Sequence, residues 1–366
     1  MNVKEQLEAF INIAAADIKS HLSTTQKNIL FISFYPSYRS QYGDLIKELS
    51  KHYNVITIVD RILGDDFEKS AHHNVLFPWR IIENGEVFYL NTHIDGIDII
   101  ITADQTAYDD GRIDRTFLSQ NAKRIYLPHR LTYACGESSK SFDYIIVPSK
   151  SAMQSFKKAL KDSSIKLLPC GYPQLDKAIN QYRYQSSNTI TYSPTLRDIN
   201  PTRNADQNLY AGFDSNIIEW ILQNTSYNIT YRAHPFNFAG NHRFYQLLKA
   251  KWMQNPRIIF DESQNYDFFN TSDFLLTDWS STSFLFSYTT LRPCIFYMPH
   301  PLDSTQYTIK DKTAKNFKQL QAIFESINFK QEKKFYQHLR ETNIYYPRKS
   351  SEAILESLED ILKGRL

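Results

Sequence analysis

Two rhythms alternate along this chain. The first is helical: Val3, Leu7, Phe10, Ile11, Ala14 and Ile18 recur three and four positions apart, which predicts an amphipathic helix over 3–22. The second is a set of short, unbroken apolar runs, Asn28–Phe34, Val55–Val59, Ile97–Thr102, Arg124–Leu127 and Tyr144–Val147, with helical segments over 44–52 and from Ser149. Strands apolar on both faces that alternate with helices belong to a parallel sheet covered on both sides. Turn residues thicken around Leu167–Asp176 and a polar, aperiodic stretch runs from Asn180 to Asn188, which predicts the crossing between two domains near 175–188.

A second series follows: strands at Thr189–Tyr192, Tyr227–Arg232, Arg257–Phe260, Asp273–Thr277 and Pro293–Tyr297, with helices over 216–223, near 241–253 and from Ser280. A final helix over 350–363 turns back toward the first domain. The pattern predicts an α/β protein of two doubly wound, Rossmann-like parallel-sheet domains, 1–178 and 179–349, with 350–366 returning to the first. Open α/β sheets bind ligands outside the carboxyl ends of their strands. Two such sheets facing one cleft make the loops after strands the place to look for chemistry.

Composition narrows the class. With 366 residues, 42% of them apolar, the chain has material for two cores. Twenty-four Tyr and twenty-four Phe suit a protein that stacks on sugars or bases as well as packing its interior. A net charge of +3 without a concentrated basic stripe argues against nucleic acid and is compatible with an anionic substrate or acidic lipid. Cys135, Cys170 and Cys294 lie far apart, so neither a disulfide framework nor a zinc site is indicated. The N-terminus lacks the basic start and apolar run of a signal peptide, and no 18-residue apolar run is present. The expectation is a cytoplasmic protein, peripheral on the inner face of the cell membrane at most. The N-terminal helix either packs on the first domain or docks on a membrane or partner.

Three strand ends of the second domain carry chemistry. In Asp273–Phe286 a strand ends at Thr277, and Ser280, Ser281 and Thr282 open a helix. A helix start offers unpaired N–H groups and partial positive charge to a phosphate, although an ordinary helix cap has the same composition. Tyr231–Pro235 delivers Arg232 and His234, a cation and an imidazole suited to a phosphate-bearing leaving group. Thr191–Asp198 delivers Thr195 and Arg197. In the first domain, His129 follows a strand and can take a proton from an acceptor hydroxyl near neutral pH. Asp109, in Tyr108-Asp-Asp-Gly111, is a rival general base. The Asp65-Asp66 pair has no further ligand candidates beside it, so neither a metal nor any other cofactor is expected.

The ordered series His129…Gly136, Phe142–Ser149, Gly171–Asp176, Tyr192–Arg197, His234-Pro235 and Thr277-Asp-Trp-Ser-Ser281…Arg292-Pro293 resembles the CDP-glycerol glycerophosphotransferase family. The resemblance spans roughly residues 120–300. It implies the GT-B fold, with His129 as the acceptor-side histidine of a His-Gly-Thr motif, and His234 and Ser280–Thr282 at the donor phosphates; Asp278, in the same segment, is a further donor-binding candidate. It implies a CDP- or CMP-linked donor and, as acceptor, a hydroxyl of a glycan or lipid-linked polymer in capsule, teichoic-acid or lipopolysaccharide assembly. Arg130 stands where that family has Gly, and Trp279 where Tyr is commoner. A second resemblance, to bacterial sialyltransferases, rests on Asp109-Asp110-Gly111, His234-Pro235 and Ser280-Ser281 and implies, as the alternative function, a CMP-sugar glycosyltransferase (sialyltransferase- or Kdo-transferase-like) with Asp109 as base. A UDP-sugar epimerase and a non-catalytic nucleotide-sugar-binding scaffold fit the same architecture.

Overall fold

The computed structural model describes residues 3–33, 36–59, 73–76, 80–83, 86–89, 92–103, 116–132, 141–161, 163–197, 213–239, 243–263, 265–299 and 308–366. The chain divides into two compact units, one of Met1–Lys177 with Asn343–Leu366 and one of Ala178–Thr342.

In the first unit, strands β1 (Asn28–Ser33), β2 (Asn54–Val59), β3 (His73–Leu76), β6 (Ile99–Thr102), β7 (Lys123–Tyr126), β8 (Tyr144–Ile146) and β9 (Lys166–Leu168) form one sheet in the order β3-β2-β1-β6-β7-β8-β9. Every pairing in it is parallel. The apolar runs are the reason: all four residues of β6 are buried, as a strand covered on both faces requires. A hairpin the periodicity does not announce, β4 (Arg80–Glu83) with β5 (Glu86–Tyr89), stands apart from this sheet. The N-terminal helix Val3–Ser20 sends Ile11, Ala14 and Ile18 into the first core, while Ile13 is 67% exposed. No helix among the described residues is long and apolar enough to cross a membrane.

Where turn residues predict a crossing loop, the chain forms a helix, Pro173–Gln181. Gly171 before it has φ +88°, and a Cβ there would lie 2.2 Å from the Tyr345 carbonyl oxygen, so only glycine fits. The returning C-terminal segment is fastened close by. Asp176 accepts the backbone N–H groups of Arg348 (2.6 Å) and Ser350 (2.7 Å), and the Ser350 hydroxyl accepts that of Tyr172 at 2.8 Å. From Ser350 the helix Ser350–Leu362 buries Ala353, Ile354, Leu358 and Ile361.

The second unit holds β10 (Thr189–Tyr192), β11 (Asn228–Tyr231), β12 (Ile258–Phe260), β13 (Phe274–Thr277), β14 (Cys294–Tyr297) and β15 (Thr313–Ala314), all parallel, in the order β12-β11-β10-β13-β14-β15. Counted within the unit this is 3-2-1-4-5-6, the doubly wound order whose strand sequence reverses between its first and fourth strands. That reversal lies between β10 and β13. Helices Phe317–Ser326 and Phe329–Asn343, which the sequence pattern does not single out, complete the unit. Phe317 is stacked between Trp220 (centroids 5.4 Å) and Tyr297 (5.1 Å), so part of the aromatic excess is core.

Candidate active site

The carboxyl ends of β10, β11 and β13 lie side by side, and backbone bonds continue the ladders past them. Arg232 N–H donates to the Tyr192 carbonyl at 2.9 Å, and Ser193 N–H to that of Leu276 at 2.9 Å. Thr195, Arg197, Arg232, His234, Asp278 and Ser280–Thr282 therefore gather at one edge of one sheet, around its switch point.

Beneath that edge is a buried polar network. Arg197, 1% exposed, donates from Nη1 to Asp278 (2.6 Å) and from Nη2 and Nε to Asp214 (2.8 and 3.2 Å). Asp214 also accepts the hydroxyls of Tyr192 and Tyr231 (2.5 and 2.9 Å). Both carboxylates raise the Arg197 pKa well above its ordinary value against the opposing effect of burial, and burial, with Asp214 next, pushes both phenols up. Asp278 takes the N–H groups of Thr195 (3.0 Å) and Trp279 (2.7 Å). The sequence reading makes Arg197 and Asp278 ligands of the donor. In the folded chain their polar atoms are engaged with each other and with Asp214, and they fasten the loop after β10 to the loop after β13. Asp214 escapes the sequence reading because an acidic residue ahead of Ile217, Ile218 and Ile221 looks like an ordinary first-turn carboxylate.

Arg232 is 7% exposed and ion-paired to Asp261 (2.6 Å), with its guanidinium over the Phe268 ring at 4.5 Å. His234 sits three residues beyond β11, half-buried, and burial lowers its pKa to about 4. The imidazole is thus neutral near pH 7, with one N–H to donate. An incoming phosphate would favour its charged form.

The helix Thr282–Thr290 starts at this edge. Ser281, at the position before it, makes no side-chain cap hydrogen bond, and Ser280 Oγ accepts the Thr282 N–H only at 3.4 Å. Ser281 is exposed and Thr282 half-buried. The sequence alone allows an ordinary Ser cap here; the helix has none at Ser281, so its first turn keeps the partial positive charge of a helix start.

In the first unit, Leu127 N–H extends β7 by bonding the Thr102 carbonyl at 2.9 Å, and Pro128 ends the ladder. His129 and Arg130 follow, both half-buried. The loop is held at Leu131, whose carbonyl accepts the hydroxyl of Ser149 at 2.5 Å; Ser149 also caps the helix Lys150–Ala159. Asp109 and the Asp65-Asp66 pair lie outside the described residues.

Structures of known proteins share this architecture. The wall teichoic acid polymerase TagF is 16% identical with TM-score 0.59, over 99% of this chain and 96% of that one. A putative UDP-N-acetylglucosamine 2-epimerase from Listeria monocytogenes is 11% identical with TM-score 0.56, over 93% and 99%. The UDP-GlcNAc 2-epimerase of Methanocaldococcus jannaschii, in complex with UDP-GlcNAc and UDP, is 13% identical with TM-score 0.54, over 91% and 99%. At these identities the likeness is one of fold, the GT-B arrangement of two parallel-sheet α/β domains. No curated protein sequence matches the chain. The sequence model of CDP-glycerol:poly(glycerophosphate) glycerophosphotransferase matches residues 113–349, a stretch that starts after Asp109 and includes His129, His234 and the Thr282 helix start. With well over half its length inside that match, the chain belongs to the CDP-glycerol:poly(glycerophosphate) glycerophosphotransferase family.

Proposed function

We propose that the edge formed by β10, β11 and β13 holds the diphosphate of a CDP-linked polyol donor, and that His129 activates the acceptor. Family membership makes the chain a transferase of polyol phosphate from a CDP-linked donor to a cell-surface glycan. The observation that carries the assignment of the donor site is the start of Thr282–Thr290, which Ser281 leaves without a side-chain cap bond, at the switch point of the second sheet.

In the proposed reaction the acceptor oxygen bonds to the phosphorus that carries the polyol, and the bond from that phosphorus to the CMP oxygen breaks. The acceptor proton passes to His129. Negative charge grows on the departing CMP, where the partial positive charge of the helix start, the Ser281 and Thr282 hydroxyls and the His234 N–H can meet it. Arg197 and Asp278 hold the loops that shape the site, and Arg232, held by its pair with Asp261 and its ring contact with Phe268, shapes the edge beside them. In this reading the protein works in the cytoplasm, in peripheral contact with the inner face of the cell membrane where a lipid-linked acceptor is anchored.

Purified protein incubated with CDP-glycerol and a poly(glycerophosphate) acceptor is expected to release CMP, and to release none from a CMP-linked sugar. CMP from the CMP-sugar alone would favour the sialyltransferase-like chemistry. Conversion of UDP-GlcNAc without acceptor would favour epimerisation.

The helix start has its own test. Ser281→Ala is expected to weaken CDP-glycerol binding, read by calorimetry, with no loss of stability, because Ser281 caps nothing. Ser280→Ala is expected to weaken binding and cost up to about 1 kcal/mol of stability through its long cap bond. Loss of stability with unchanged affinity in both variants would place the phosphates elsewhere.

A further inference from the structure

We propose that Asn237 is a positioning residue for His234, acting by clipping the turn that carries the imidazole onto the backbone of Arg197. The inference rests on the reading of His234 as a donor-side catalytic group.

Asn237 is three residues beyond His234 and 2% exposed. Its Oδ1 accepts the backbone N–H of Arg197 at 3.0 Å, and its Nδ2 donates to the backbone carbonyl of the same residue at 2.5 Å. One side-chain amide thus satisfies both main-chain polar groups of Arg197, as a neighbouring strand would. The Asn237 N–H in turn donates to the His234 carbonyl at 2.8 Å. Two loops 40 residues apart in sequence are joined at a single residue, and the Arg197 side chain already anchors one of them to Asp214 and Asp278.

The turn needs such a tie. The helix Pro235–Ala239 has only five residues, too few to hold its own geometry, and Pro235 has no N–H to contribute. Apart from Asn, no side chain of this length both donates and accepts through a planar amide. Asp keeps the acceptor but sets a carboxylate oxygen against the Arg197 carbonyl, Leu has neither group, and Gln is one methylene too long for the gap. Nothing in the chemistry of the transfer requires an amide at this place, so its geometry points to support of the imidazole.

The test is a double-mutant cycle on CMP release from CDP-glycerol, with thermal unfolding and donor binding measured alongside. His234→Ala alone is expected to lower kcat by roughly 10²-fold. Asn237→Ala and Asn237→Asp, each in the otherwise unchanged chain, are expected to lower kcat by about 10-fold with the donor KM little changed. In the His234→Ala background neither is expected to lower it further, because a residue acting through another has nothing left to act on. Equal losses in both backgrounds, or full kcat in a folded Asn237→Ala or Asn237→Asp chain, would overturn the assignment. Where Asn237→Ala fails to fold, Asn237→Asp, which keeps one of the two bonds, carries the cycle. Normal turnover by His234→Ala would instead bring down the reading of the site itself, and the assignment of Asn237 with it.

Discussion

His129→Ala is expected to abolish transfer while leaving the fold and the affinity for CDP-glycerol in place. A general base accounts for about 10²–10⁴-fold in rate, and an acceptor hydroxyl is too weak a nucleophile to attack phosphorus without one. His129 is suited to the role by its surroundings. Pro128 ends the strand directly before it, and its loop is pinned at Leu131, yet the residue as a whole is only half-buried. Alanine there leaves the Ser149 bond to Leu131 untouched, so folding should survive. Asp109→Asn is expected to keep most of the activity. The informative measurement is single-turnover CMP release beside donor binding for both variants. If Asp109→Asn were dead and His129→Ala active, the base would be the carboxylate and the mechanism would be that of the sialyltransferase-like alternative.

Arg197→Met is expected to be the most destabilising single change, lowering the free energy of unfolding by about 3–5 kcal/mol. Methionine roughly keeps the volume, so the loss is electrostatic: two buried carboxylates, Asp214 and Asp278, would lose the cation they share. The hydroxyls of Tyr192 and Tyr231 would still bond Asp214, but they carry no charge to offset it. Arg197→Lys should recover only part of the loss, since an ammonium cannot span two carboxylates as the guanidinium fork does. Urea unfolding of the three proteins gives the answer. Unchanged stability with a large fall in donor affinity would return Arg197 to the role of phosphate ligand that its position in the sequence suggests.

These two residues also show what a sequence discloses and what it hides. The runs Thr189–Tyr192 and Phe274–Thr277 are legible because a strand buried on both faces has no polar position to spare, and all four residues of each are buried. The ends of such runs can be read as well, and with them the cluster at Thr195, Arg197, Arg232, His234 and Ser280. What cannot be read is the direction each side chain takes from that end. A ligand arginine and a buried one look alike in Tyr-Ser-Pro-Thr-Leu-Arg197, and the difference lies in Asp214, 17 residues on, and Asp278, 81 residues on. Asn237 is hidden for the same reason, its partner being 40 residues away. The helix Phe329–Asn343 escapes notice because only Glu332 and Tyr336 among its residues are fully buried, which leaves too thin an apolar stripe to register. The helix Pro173–Gln181 is masked by Pro and Gly next to it that signal a turn.

The lacing of the three strand ends has a consequence for how a donor is chosen. Loops that carry binding groups usually surrender freedom when a ligand arrives, and each backbone residue fixed costs about 1–2 kcal/mol of entropy. At the proposed donor edge the segment Ser193–Arg197, the turn at His234 and the approach to Thr282 are tied by Asp278, Asn237 and the extended ladders, all contacts of the fold itself. That cost falls on folding rather than on binding, so a small phosphate-bearing molecule can be held by few contacts. Rigidity also sets a limit. If the proposed donor site lies here, such lacing would leave it to distinguish donors by shape and charge, and a change of cargo in evolution would come from substitutions around this edge.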